Sequence, residues 1–355
     1  MRPVLQPDGR AMLIGSQPVD DHALATQLVM AHVPEIPNWV QLPCFAQEGM
    51  VPQFAGGLPG LTHGEGRTYV DTAADGFDDQ MLAFFEEFLA VIEERTPWDQ
   101  SRFALDRHHA GGFFELLAAL AARPGKPFAV KGQITGPITF CTSLTDERRR
   151  AIFYNEALRD AAVKMLALKA GWQVRQLRAT GAPVILFIDE PALASYGSSE
   201  FISISREDIA ACLQEVVAMV HSLGAWAGVH VCANTDWSLL LSSELDIVNF
   251  DAFGYVDKFV LYAEPLKSFL HAGGCLAWGL VPTSPADQVK AATLEQVWAR
   301  WQAGVQAMAA LGIDTAALRR QSFITPSCGT GSLPPELSQK VLEMTQALSA
   351  WVRNS

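Results

Sequence analysis

Val184-Ile185-Leu186-Phe187-Ile188-Asp189-Glu190 is a run of five apolar residues that ends in two carboxylates. A short run with no polar face is how a strand reads when helices cover the sheet on both sides, as in parallel sheets. The flanks agree with that. Phe153 to Thr180, just before it, carries Ala and Leu at three- and four-residue spacing, with Arg175 and Arg178 near its end, which predicts a helix. Arg206–Leu223, after it, predicts a second helix closed by Gly224, and Trp226–Val231 is the next apolar run. Strand, helix and strand therefore follow one another here.

Working outward, similar runs occur near Met12–Gly15, Trp39–Leu42, Phe128–Gly132, Ile247–Asp251, Cys275–Gly279 and Phe323–Ser327. Thr293–Leu311, closed by Gly312, supplies another helix. Eight strands alternating with helices predict an α/β protein of the (β/α)8 TIM-barrel class, with residues 1–355 as a single catalytic domain. The stretch Cys44–Lys126 is too long for a simple crossover. It holds Gly/Pro-rich loops around Gly56–Gly66, then helical patterns near Asp79–Glu94 and Gly112–Ala122. We read it as an insertion after the second strand, lying over the barrel mouth.

The composition narrows the class. The chain has 355 residues, 49% of them apolar and 18% charged, which suits a globular enzyme. Its formal charge of −12 argues against nucleic acid, whose phosphates need clustered Lys and Arg, while leaving room for a local basic pocket. No apolar run is long enough to span a bilayer, and Met1–Arg10 lacks the apolar core of a signal peptide, so a cytoplasmic location is expected. Six scattered cysteines do not resemble a disulfide framework. In a reducing compartment they become candidate ligands.

In such a barrel, functional groups gather where strands end. Gly15 and Ser16 end the first strand, Asp189 and Glu190 the fourth, His230 and Cys232 the fifth, Asp251 the sixth and Cys328 the eighth. Residues two apart on a strand share a face, so His230 and Cys232 can reach one ion. Cys328 joins them only through the expected fold. A His-Cys-Cys set suits zinc and leaves a fourth position open for substrate. Against this, buried cysteines are commonly small apolar residues. Cys44, Cys141, Cys212 and Cys275 are read that way or as surface residues.

These residues also match a family. Phe187-Ile188-Asp189-Glu190-Pro191-Ala192-Leu193 resembles the Ile-Asp-Glu-Pro-Ala-Leu signature of cobalamin-independent methionine synthase. His230-Val231-Cys232 is similar to that family's His-x-Cys, and Pro326-Ser327-Cys328-Gly329 to its Pro-Asp-Cys-Gly. Ile14-Gly15-Ser16 and Gly136-Pro137-Ile138-Thr139 resemble its Ile-Gly-Ser and Gly-Pro-Val-Thr. The five matches keep the family's order. The resemblance implies a catalytic zinc on His230, Cys232 and Cys328, with Asp251 where the family has a carboxylate ligand one methylene longer. It also implies Asp189 as ligand for the amino group of homocysteine, with Ile14, Gly15 and Ser16 holding the amino acid. Glu65 is a further candidate for the amino group. A helix cap is the bland alternative for Asp189, and an ordinary turn for Gly15 and Ser16.

The departures point to the methyl donor. Ser143 and Ser195 stand where the family contacts folate through Trp and Glu, and Val281 lies near the place of its proton-donating His. The chain is also too short to hold the second barrel of the family's long members. The resemblance thus implies a methyltransferase making methionine from homocysteine, with a corrinoid, delivered by a separate carrier protein, in place of folate. Competing expectations are a corrinoid-linked methyltransferase acting on another thiol, a uroporphyrinogen decarboxylase-like enzyme, and a non-catalytic zinc-binding barrel.

Overall fold

The computed structural model describes residues 4–64, 66–197, 201 and 203–355. A hairpin, β1 (Leu61–Gly64) with β2 (Arg67–Val70), stands apart from the main sheet. That sheet holds β3 (Val130–Thr135), β4 (Val184–Asp189), β5 (Trp226–Val231), β6 (Ile247–Phe250), β7 (Cys275–Val281) and β8 (Ser322–Pro326). The six are parallel, lie side by side in chain order, and are buried at every position. Helices return the chain between them, and the apolar runs of β4 and β7 are continuous because those strands are covered on both faces. Among the described residues, no helix is long and apolar enough to cross a membrane.

The sheet is a curled half-barrel of six strands, where eight in a closed barrel were expected. The segments near Met12–Gly15 and Trp39–Leu42 form no ladder. Single parallel bridges tie them instead: Ala11 to Ile324, Ser16 to Gln41 and Asn38 to Lys131. The second segment has a physical reason to stay irregular. Pro37 has no N–H to donate. The carbonyl of Trp39 is taken by side chains, at 2.7 Å from Asn38 Nδ2 and 2.9 Å from Gln133 Nε2.

Inside the curl, Met12, Ile36, Ile185, Trp226, Ile247 and Phe323 belong to one apolar cluster. Further along the strands the buried residues turn polar: Lys131, Gln133, Asn249 and Thr325. On the outer side, the helix Glu156–Arg178 starts at an Asn155 cap and packs against β3 and the helix Arg206–Ser222.

Between residues 44 and 126 lie the β1–β2 hairpin and the helices Pro52–Ala55, Phe77–Ile92 and Gly111–Ala122. The two longer helices fall close to their expected positions, whereas the hairpin had been read as loop. Thr135, at the end of β3, donates its hydroxyl to Met50 O at 2.7 Å. Gln41 donates its side-chain amide to Gln53 Oε1 at 2.6 Å. Val70 N bonds Thr145 O at 2.9 Å, pinning the hairpin to the loop beyond β3. These contacts hold parts of the segment at the C-terminal end of β3.

Candidate metal centre

Parallel register sets Asp189 beside His230 and His230 beside Asn249. His230 is the next-to-last residue of β5, Cys232 follows that strand at once, and Cys328 lies just beyond β8. The ligand atoms of His230, Cys232 and Cys328 lie within 4.8 Å of one another. The fold therefore brings together three residues that are distant in sequence in a group able to hold a metal ion.

Asn249 orients the His230 ring. Asn249 donates through Nδ2 to Ala277 O at 2.8 Å and to Thr325 Oγ1 at 2.9 Å. A carbonyl can only accept, so the amide nitrogen must face Ala277 and Oδ1 faces His230 Nδ1. Nδ1 then carries the ring proton, and Nε2 keeps its lone pair. Nε2 is buried and has no hydrogen-bond partner among the described residues. An orphaned buried acceptor is costly, and a ring fixed through Nδ1 with a free Nε2 is how metal-binding histidines are held.

The two thiols are pushed in opposite directions. The adjoining Cys328 thiol and then the His230 imidazole hold the Cys232 thiol well below its ordinary pKa, whereas Cys328 is pushed up, first by its neighbour Cys232 and then by burial. Burial opposes protonation of His230, but Cys232 and the charge of Asp189 raise its pKa overall. The other cysteines differ. Cys44 is exposed, while Cys141, Cys212 and Cys275 are buried. Burial raises all three buried thiols, Cys212 and Cys275 to about 12.

Asp189 ends β4 with its Oδ1 buried and unpartnered. It caps no helix: the next turn, Pro191–Ser195, has Glu190 at its cap position and no side-chain cap bond. Burial raises its pKa, opposed by Lys131 and His230. Asp251 behaves the other way round. Its Oδ1 accepts from Gly254 N at 2.9 Å, capping the helix Ala252–Phe259. It stands outside the three-residue cluster. A carboxylate shorter by a methylene, and committed to its own helix, is poorly placed to be the fourth ligand. Glu65 lies outside the described residues.

Ile14, Gly15 and Ser16 line a small cavity together with Cys328 and Gly329. Ile14 O accepts from Lys131 Nζ, and Ser16 O accepts from Thr330 N at 2.9 Å. A Cβ on Gly15 would meet Gln41 Oε1 at 2.7 Å, so a larger residue there requires the Gln41 side chain to move. Ser143 is exposed at the end of the helix Pro137–Ser143, Ser195 is partly buried, and Val281 is buried at the end of β7. A cavity of about 680 Å³ opens at the other end of the sheet, beside Asp246 and Gly274, which precede β6 and β7.

Sequence reasoning names neither Asn249 nor Lys131 as a site residue, and places Glu190 only at the end of the fourth strand. Asn249 sets the imidazole tautomer. Lys131, fully buried on β3, bonds Ile14 O and Gln133 Oε1 and stands 4.9 Å from the Phe187 ring. Burial lowers its pKa to about 8 against the charge of Asp189. Glu190 is also fully buried, accepting from Ile138 N, Thr139 N and Thr139 Oγ1 at 2.9, 2.8 and 2.7 Å. A Cβ on Gly136 would sit 2.2 Å from the Glu190 carboxyl carbon. The Gly-Pro-Ile-Thr and Asp-Glu-Pro segments thus pack on each other. The available signal was a single polar residue inside an apolar run, as in Val130-Lys131 and Val248-Asn249.

No protein-family model matches the chain, and no curated protein sequence matches it.

Proposed function

We propose that the chain is a zinc-dependent methyltransferase that methylates the thiol of L-homocysteine to form methionine, taking the methyl group from a corrinoid. The observation that carries this reading is the buried, unpartnered His230 Nε2 in a cluster with two thiols. Two sulfurs and an imidazole favour zinc over hard cations, and three protein ligands leave a position for substrate. His230, Cys232 and Cys328 would hold the ion. Zinc there would supply the Lewis acidity that keeps a substrate thiol deprotonated near neutral pH.

The chain's own residues account for the rest. Asp189 lies beside His230 in register with a free carboxylate oxygen, suited to an α-ammonium group. The positive charge of Lys131 opposes the effect of burial on Asp189 and so favours its ionised form. Ile14 to Ser16 border Cys328 and would fix the amino-acid end. With the amino acid held in this way, the sulfur attacks the methyl carbon in line. The carbon–sulfur bond forms as the bond from carbon to its carrier breaks. On the same reading, the half-barrel and the two bridged segments between β8 and β3 make up the ring of a (β/α)8 barrel, with the site at its C-terminal end.

A methyl on a tertiary folate nitrogen needs a proton on that nitrogen as it leaves, and Val281 cannot supply one. A methyl on cobalt leaves without it. Supplying homocysteine with methylcobalamin, or with methyltetrahydrofolate, and measuring methionine tests the proposal. Methylcobalamin should support turnover, slowly if a carrier protein is missing, and the folate should give only background. Robust folate-dependent synthesis by this chain alone would overturn the donor assignment. No methionine from either donor, with zinc bound, would favour another thiol or a non-catalytic role.

A further inference from the structure

The helix Glu156–Arg178 buries an almost wholly apolar face, yet Lys169 on that helix is only 3% exposed. An ammonium group has three protons to donate. Among the described residues Lys169 makes a single hydrogen bond, a long one of 3.4 Å to the carbonyl of Arg102. It lines a cavity of about 280 Å³ together with Arg102, Asp106, His109 and Gln53, and no residue of the metal cluster borders that cavity.

The other polar walls are already engaged. Glu87 fixes Arg102, accepting from its backbone N at 2.8 Å and its Nε at 2.7 Å. His109 Nδ1 lies 3.0 Å from both carboxylate oxygens of Asp106. Gln53 donates to His109 O at 2.7 Å and accepts from Gln41. Only Lys169 is left with most of its bonding capacity unused. Burial lowers its pKa to about 8, while Asp106 acts to keep the charge. A water molecule could take one of its protons but could not balance the charge.

We propose that this cavity is a binding site for a small molecule bearing a carboxylate or phosphate group, with Lys169 as the buried partner of the oxyanion. Two features beyond Lys169 support an anion. Arg102 and His109 add positive or protonatable groups to the wall, and Asp106 is the one carboxylate among the lining residues. The volume lies near the lower edge of roughly 300–1,000 Å³ typical of small-ligand sites, so a metabolite of a few carbons fits and a polymer does not.

The test is calorimetric titration of the full chain at pH 7 with tricarballylate and with inorganic phosphate, at matched ionic strength with chloride as control. At least one polyanion should bind with one-to-one stoichiometry. Tricarballylate alone would identify a carboxylate ligand, and phosphate alone a phosphate ester. Lys169→Met should weaken binding at least tenfold. Asp106→Asn, which removes the negative wall, should tighten it several-fold in a titration at pH 6, far enough below the Lys169 pKa of about 8 for the ammonium to stay charged. The second variant decides the matter if the first does not fold, since a purely structural Lys169 gives no reason for tighter binding. No one-to-one binding at millimolar anion, equal binding by Lys169→Met, or unchanged or weaker binding by Asp106→Asn would each overturn the proposal.

Discussion

Asn249→Leu is the sharpest test of how the metal centre is built. Asn249 is fully buried and serves three partners: His230 Nδ1, Ala277 O and Thr325 Oγ1. Leu keeps the volume and removes every bond. The ring N–H of His230 then faces methyl groups, which costs about 1–3 kcal/mol for an unsatisfied buried donor. The imidazole also loses what fixes its tautomer and its plane. Removing such an outer partner typically lowers metal affinity about 10- to 100-fold, equivalent to roughly 1.4–2.8 kcal/mol. Zinc competition against a chromophoric chelator reads this directly. Asn249→Asp separates orientation from packing. It keeps an acceptor for His230 but sets an oxygen against the Ala277 carbonyl, so folded protein should hold zinc nearly normally while unfolding at a lower temperature. Zinc affinity in Asn249→Leu equal to that of the unaltered chain would refute the claim that Asn249 prepares His230 for a metal.

Other predictions address ligands, substrate and charge. The purified chain should hold about one zinc, and Cys232→Ser and Cys328→Ser should each abolish most of it while Cys212→Ser does not; equal losses by elemental analysis in all three would mean the wrong cysteines were chosen. Asp189→Asn should weaken homocysteine binding by roughly 1–3 kcal/mol with zinc retained, and normal turnover in that variant would remove Asp189 from the substrate site. Burial brings the pKa of Lys169 in the fold to about 8, from an ordinary 10.5, so its share of stability is present above pH 10.5 and lost as pH falls from 10.5 to 8. Lys169→Met should therefore gain roughly 3 kcal/mol on the unaltered chain at pH 7, a gap that closes towards pH 10.5 in denaturant titrations; a pH-independent gap would show that burial of the charge is not the cause.

The sequence was most legible where burial is symmetric. Strands covered on both faces leave largely apolar runs, and β3 to β8 fall where those runs predict, within a few residues at each end. The segments near Met12 and Trp39 carry the same apolar signature but form only single bridges, because apolar character reports burial and says nothing of backbone pairing. Pro37 and the side-chain bonds to the Trp39 carbonyl are where the pairing signal lay. The cluster of His230, Cys232 and Cys328 was legible because strand ends converge in this architecture. Asn249 and Lys131 were not, since one polar residue in an apolar run does not announce its partner. The β1–β2 hairpin was missed because its glycines read as loop.

Asp189 and Asp251 show why strand-end carboxylates cannot be ranked from residue type. Each follows an apolar run and precedes a helical turn, and each admits a capping role. In the fold, Asp251 takes that role and gains a bond from Gly254 N. Asp189 is followed by Glu190, whose carboxylate reaches across to Ile138 and Thr139, and by Pro191, which has no N–H to offer. Asp189 is thereby denied a local partner, and its Oδ1 stays buried and unsatisfied. The neighbouring His230 Nε2 is in the same condition, on the strand paired with that of Asp189. Two orphaned acceptors side by side in a buried site are unfavourable unless something electron-poor meets each. A metal ion at the nitrogen and an ammonium at the oxygen would satisfy both. A substrate carrying a thiol and an amine on one short chain can bring sulfur to the first and a charged amine to the second, which is the reason for preferring an amino-acid thiol to a simple one.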